Sequence, residues 1–151
     1  MRHADDAKGN RPESISRYFP AIARILLGLI FATTGLNGFL NFIPQPKAPM
    51  PERAAAFIGA LLQTGYLFRL IMGTQLIVGV LLLLNRFVPL ALALVAPIIV
   101  GILTFHIFLL PSGLHLALAV LVLEIYLSWA YRKAFRPMLA MRTKATEAGE
   151  E

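Results

Sequence analysis

Four long apolar segments restrict what this sequence can fold into. They cover residues 22–42, 67–84, 88–110 and 114–131. A helix needs about 20 apolar residues to cross the hydrocarbon layer of a bilayer, so each segment is close to the length of one crossing. Hydrophobic residues make up 58% of the chain and its mean hydropathy is +0.71, more than a soluble domain can bury. The sequence therefore predicts an all-α integral membrane protein, a four-transmembrane-helix bundle.

Prolines and turns divide the apolar segments. Four prolines lie in residues 44–51 and should hold this connection extended. The next stretch, 52–66, repeats apolar residues on one helical face, which predicts a short helix lying in the membrane interface. The Pro-Ser-Gly sequence at 111–113 predicts a tight turn. Pro97 lies inside the third segment, where it predicts a kink that neighbouring helices can accommodate.

The two ends of the chain are polar. Residues 1–20 carry charges of both signs without apolar periodicity, which predicts a disordered cytoplasmic tail. Residues 134–151 predict a second cytoplasmic tail with basic and acidic side chains, leaving 21–133 as the transmembrane domain. The first apolar segment follows a long tail and lacks a clear small-residue cleavage site, so we expect it to be a membrane helix and not a signal peptide.

The distribution of positive charge predicts the orientation. Five of the 14 Lys and Arg residues precede or open the first segment, one lies between the second and third, and five follow the fourth, whereas three lie on the other side. The positive-inside rule then places both termini in the cytoplasm. The net charge of +6 lies mainly beside apolar segments, which favours anionic lipid headgroups as partners. We expect no nucleic-acid partner.

Candidate functional residues are the polar side chains inside the apolar segments, because such residues are costly in a bilayer. Asn37, Gln75 and His106 each lie about five to eight residues from the predicted outer end of their segment, so three helices offer a polar group at one level. Glu124 lies about 15 Å below the outer turn, near the bilayer centre. A lone carboxyl group there must be protonated, paired or reached by water. These four residues are the predicted ligand-binding site.

Each candidate also has a purely structural interpretation. Asn37 and Gln75 could serve only as hydrogen bonds between helices. His106 could donate only to a backbone carbonyl group. His106 and Glu124 together fall short of the three or four ligands of a zinc site, so we expect no metal. The chain contains no cysteine, which excludes thiolate ligands and nucleophiles, and any redox role would need a bound cofactor.

The sequence also resembles a known family. The stretches LLGLIFATTGLNGFL, TGYLFRLIMGTQLIVGVLLLLNRFVPLALALVAPIIVGILTFHIFLLPSG and LALAVLVLEIYLSW resemble the DoxX-like family of small bacterial four-helix membrane proteins. The resemblance covers residues 24–131. It implies a multi-pass protein of the bacterial inner membrane, in a family named after subunits linked to thiosulfate:quinone oxidation.

Two positions depart from the pattern that we expect of this family. Relatives often carry an acid in the second span and a lysine in the first, where this chain has Gln75 and Gly38. A mechanism that uses charges at those positions is therefore not expected here. Asn37, His106 and Glu124 are the polar positions retained.

Three functions fit these patterns. The first is a quinone- or lipid-interacting subunit of a membrane redox complex with a membrane or soluble redox partner. The second is a non-catalytic membrane scaffold or ligand-binding protein. The third is a small-solute transporter, which with four helices would need to form an oligomer. The sequence holds no nucleophile motif, phosphate loop or full metal-ligand set, so it does not itself predict an enzyme.

Overall fold

The computed structural model describes residues 18–44 and 49–137, and all regular secondary structure in these ranges is helical. The α-helices there are α1 (Phe19–Leu40), α2 (Glu52–Gln63), α3 (Leu67–Leu83), α4 (Val88–Phe108), α5 (Leu114–Ala130) and α6 (Arg132–Phe135). A single 3-10 turn, Pro111–Gly113, joins α4 to α5. The four predicted apolar segments correspond to α1, α3, α4 and α5.

Within the described residues, three helical segments are long and apolar enough to cross a membrane. They are α1, α4 and the stretch Pro111–Ala130. Helix α3 is shorter, with 17 residues, and reaches the required length only when counted with α2, from which it is bent by 90°. The described part of the chain thus confirms an all-helical fold with three, or up to four, helices of membrane-crossing length.

The helix boundaries differ slightly from the predicted ones. Helix α1 begins at Phe19, before predicted residue 22, because Pro20 fits the first turn of a helix. Helix α2 ends at Gln63, whereas the prediction extended it to residue 66. There the Leu67 amide donates to the Thr64 hydroxyl at 3.0 Å, and Gly65 takes a positive φ of 76° that turns the chain into α3. Most of the two predicted tails, residues 1–17 and 138–151, lies outside the described residues.

Four helices form the bundle in the order α1, α3, α4, α5. Each packs against the next, and α5 also packs against α1, which closes the ring. Fully buried side chains from all four helices fill the centre, among them Leu27, Phe31, Leu82, Leu92, Val95, Ile99 and Leu127. Short connections join α3 to α4 and α4 to α5, whereas the connection from α1 to α3 is longer and contains α2.

The pair α1 and α3 has the closest packing. Glycines allow the two backbones to approach, because a β-carbon added at Gly35 would lie 2.8 Å from the Met72 carbonyl oxygen. One added at Gly79 would overlap the backbone of Ala32. Small residues at helix contacts are typical of membrane proteins, where close backbone packing replaces the hydrophobic effect.

The outer surface of the bundle is apolar. Large hydrophobic side chains on all four helices are exposed, among them Leu26, Leu29, Ile77, Val80, Leu94, Val100, Val122 and Ile125. Pro97 is on this outer face, inside an uninterrupted α4. A water-soluble monomer rarely exposes so much continuous apolar surface. The surface is therefore compatible with a multi-pass membrane protein.

Candidate functional site in the bundle interior

Three polar or charged residues are buried among the described residues. They are Arg24 on α1, Gln75 on α3 and Glu124 on α5, with exposed fractions of 9%, 4% and 6%. Two of them, Gln75 and Glu124, belong to the predicted site, and Arg24 does not. Buried polar groups require hydrogen-bond partners. The hydrogen bonds of each residue therefore show which of its polar atoms are already used and which could still bind a ligand or a proton.

Glu124 lies at the centre of the buried face of α5. Ala117, Val120 and Leu127 share that face and are buried with it. Ser128 lies one turn further along the same helix and is half-buried. The second carboxyl oxygen of Glu124, Oε2, is buried without a hydrogen-bond partner, and it is the one side-chain atom in the described ranges with this property. Such an atom must carry a proton or gain a partner.

Arg24 is buried in the first turns of α1, and its guanidinium group reaches the end of α3. Its Nη1 donates to the Leu82 carbonyl oxygen and, at 3.4 Å, to the Leu83 carbonyl oxygen. The last carbonyl groups of a helix lack partners in their own helix and carry partial negative charge. Arg24 thereby caps α3 from a neighbouring helix.

Sequence reasoning missed Arg24 as a site residue. It was grouped with the positive charges that precede or open the first segment. One signal in the sequence could have identified it. Arg24 comes two residues after the predicted start of the segment, at residue 22, and is followed by a long apolar run, so its charge needs a partner inside the protein.

Gln75 joins α3 to α1. The Thr34 hydroxyl lies 2.9 Å from the Gln75 side-chain oxygen and 2.8 Å from the Ile30 carbonyl oxygen of its own helix, and its single proton is shared between these two acceptors. The contact with Thr34 is the interhelical role that the structural interpretation gave to Gln75. Thr34 itself is exposed at the edge of the contact, so the pair lies beside the glycine contact of α1 and α3 and not at the bundle axis.

Asn37 stabilises the end of α1. Its side-chain oxygen accepts a hydrogen bond from the Ile43 amide at 2.7 Å, and its carbonyl oxygen accepts one from the Asn41 amide at 2.8 Å. Asn41 has a positive φ of 49° and is exposed, because the helix has already ended at Leu40. The hydrogen bonds of Asn37 thus lie within α1 and the residues that directly follow it.

His106 bonds within its own helix. Its Nδ1 lies 2.8 Å from the Ile102 carbonyl oxygen, and since a carbonyl oxygen only accepts, Nδ1 donates. The ring packs so closely on the 3-10 turn that a β-carbon at Gly113 would overlap it. Phe105 meets the same ring edge-on with centroids 5.3 Å apart. His106 fits the structural interpretation, and its Nε2 is the nitrogen left to accept a hydrogen bond.

The predicted site residues thus have different surroundings. Asn37, Gln75 and His106 each bond to a neighbour other than the remaining site residues. Among the described side chains no group of three or more His, Cys, Asp or Glu residues could hold a metal ion. The convergence of Asn37, Gln75 and His106 on one ligand stays a prediction, and Glu124 is the member with an unused buried oxygen.

Comparison with known proteins adds no relative. No family model, no curated protein and no solved structure matches the chain. The DoxX-like resemblance therefore stays a prediction. Support for a function comes from the geometry of the buried residues.

Proposed function

We propose that this chain is a multi-pass protein of the bacterial inner membrane, similar in kind to the DoxX-like proteins. In this proposal α1, α3, α4 and α5 cross the bilayer, and both termini lie in the cytoplasm. Three features support it: the apolar outer surface of the bundle, the concentration of Lys and Arg at one side, and the 90° angle between α2 and α3. If α3 crosses the bilayer, α2 lies along its outer surface, as expected of an interfacial helix.

The proposed function is that of a quinone- or lipid-interacting subunit of a membrane redox complex. The free, buried Oε2 of Glu124 carries this proposal. Reduction of a quinone to a quinol takes up protons together with electrons, and inside a bilayer those protons must come from protein groups. A carboxyl group poised in an apolar interior can give and take a proton there. The electrons would come from the redox partner protein.

Purification in native lipid discs tests this function. Quinone should co-purify with the wild-type protein and be detected by mass spectrometry of the extracted lipids. On chemical reduction of the bound quinone, proton uptake should slow in Glu124→Gln and should not change in Glu52→Gln, whose acid lies exposed on α2. A wild-type protein that carries no quinone, or equal uptake in both variants, would refute the redox function.

A second candidate is a non-catalytic membrane scaffold or ligand-binding protein. The hydrogen bonds of Asn37, Gln75 and His106 favour it, because all three stabilise the fold. In that case mass spectrometry of the same preparation should find a stoichiometric partner protein or a lipid in place of quinone, and Glu124→Gln should retain it.

A further inference from the structure

The described helices bury one positive and one negative side chain, Arg24 and Glu124. Arg24 lies five residues after Phe19, and Glu124 lies six residues before Ala130. At about 1.5 Å per residue, both are about 8 to 9 Å inside the same end of the bundle. The helices that carry them, α1 and α5, pack against each other.

We propose that Arg24 is the counter-charge of Glu124, and that the two residues form one buried site in the cytoplasmic half of the bundle. When the carboxyl group holds a proton, the guanidinium group stays on the end of α3, as the structure shows. When the proton leaves, the guanidinium group turns to the carboxylate. Arg24 is then a positioning residue for the proton that the proposed function assigns to Glu124.

The present bonds of Arg24 leave room for this second partner. Both carbonyl contacts use Nη1, and a guanidinium group has five N–H donors in a planar fork that matches a carboxylate. The described residues form no ion pair that already uses these donors. The Leu82 carbonyl oxygen also accepts a hydrogen bond from the Asn85 amide at 3.2 Å, so it keeps a partner when Arg24 turns away.

The other basic side chains at this end of the bundle are exposed: Arg86, Arg132, Lys133 and Arg136. His106 on α4 and His115 on α5 lie towards the opposite end, whereas the half-buried Tyr131 follows Glu124 by two turns on the same face. Tyr126 is on α5 but not on the face of Glu124, and the Arg69 of α3 is exposed near the outer end. Among the described residues, Arg24 is therefore the cation that is buried at this end of the bundle. A buried charge left without its partner is strongly destabilising, which makes the pairing measurable.

A double-mutant cycle tests the pairing without any ligand. The variants are Arg24→Gln, Glu124→Gln and the double variant, unfolded by denaturant in detergent micelles and followed by the fluorescence of Trp129, the single tryptophan. At alkaline pH, where the carboxyl group loses its proton, Arg24→Gln should lower stability far more when Glu124 is present than when Gln replaces it. We expect a coupling of about tenfold or more in the unfolding equilibrium constant, smaller at acid pH.

Matched controls separate pairing from simple capping of α3. Arg24→Lys keeps the positive charge. Its stability should therefore still depend on Glu124, unlike that of Arg24→Gln. Arg69 also donates from Nη1 to a backbone carbonyl, that of Gly65 at 2.9 Å, so Arg69→Gln combined with Glu124→Gln should be additive. If Arg24→Gln is additive with Glu124→Gln at both pH values, Arg24 only caps the helix and the proposal is wrong.

Proximity is tested separately in case Arg24→Gln does not fold. The chain has no cysteine, so Arg24→Cys with Glu124→Cys introduces one reactive pair and removes both charges together. A short bis-maleimide should link the two cysteines within one chain, whereas Arg69→Cys with Glu124→Cys should stay unlinked. A missing Arg24–Glu124 link in the folded protein overturns the pairing. If Arg24 and Glu124 are coupled in stability but the preparation contains no quinone, the pairing of the two residues stands and only the redox function is refuted.

Discussion

The carboxyl group of Glu124 is the residue on which most of the chemistry depends. Glu124→Gln keeps the shape and a hydrogen-bonding amide without a titrating proton. The free energy of unfolding at neutral pH should therefore change by less than about 1 kcal/mol, while proton uptake on quinone reduction should slow. Glu124→Leu removes every hydrogen-bonding atom of this buried side chain, so groups that bond to it lose their partner and the variant should destabilise by about 1–3 kcal/mol. Denaturant unfolding and quinone-linked proton uptake measure the two effects. A stable, fully active Glu124→Leu protein would contradict any role for the buried carboxyl group.

A second prediction at this scale concerns the Thr34–Gln75 hydrogen bond. Thr34→Val removes the donor and leaves the buried Gln75 oxygen without this partner, so the free energy of unfolding should fall by about 0.5–1.5 kcal/mol. Thr104→Val is the control, because Thr104 is exposed and donates only within its own helix. Equal losses in the two variants would show that the bond between α1 and α3 contributes nothing.

At the scale of helices, the glycine contact between α1 and α3 should contribute strongly to the free energy of unfolding. Gly35→Ala and Gly79→Ala place a methyl group against backbone atoms of the partner helix, and backbone cannot yield as a flexible side chain can. Each substitution should destabilise by about 1–3 kcal/mol or more, as overpacking does elsewhere. Gly101→Ala is the control, because a β-carbon there meets no atom within 4 Å. In thermal unfolding in micelles, Gly101→Ala should have the same Tm as the wild type, and Gly35→Ala and Gly79→Ala should each have a lower Tm.

The helices were predictable from the sequence, and the interior of the site only in part. Apolar runs and prolines placed α1, α3, α4 and α5 within a few residues, since these signals act locally along the chain. Burial of Glu124 followed from its being a lone acid in an apolar helix. The target of Arg24 could not be predicted, because it depends on how α1 crosses α3. The sequence also did not predict the local role of Asn37: α1 ends at Leu40, and the Asn37 side-chain oxygen accepts a hydrogen bond from the Ile43 amide beyond that end.

At the scale of the whole molecule, the distribution of Lys and Arg predicts on which side of the membrane each connection lies. Reporter fusions after Arg86 and after Arg136 should be cytoplasmic, and fusions at Lys47 and at Ser112 should be periplasmic, because Lys and Arg concentrate on one side. Lys47 lies outside the described residues, and its side of the membrane follows from the helices that flank it. Activity of an enzyme reporter on either side of the membrane measures each position. Opposite results at any two sites would exclude the proposed orientation.

The polar residues of α3 have a consequence for how the protein is made. Helix α3 carries Arg69 near its start and Gln75 at its middle, and such residues weaken the insertion of a helix by the translocon. The glutamine and the glycine surface of α3 are complementary to α1, which is synthesised first. In the proposed membrane topology, α1 is therefore already present to pack against α3 when α3 is synthesised, and we expect a chain without α1 to insert α3 less efficiently.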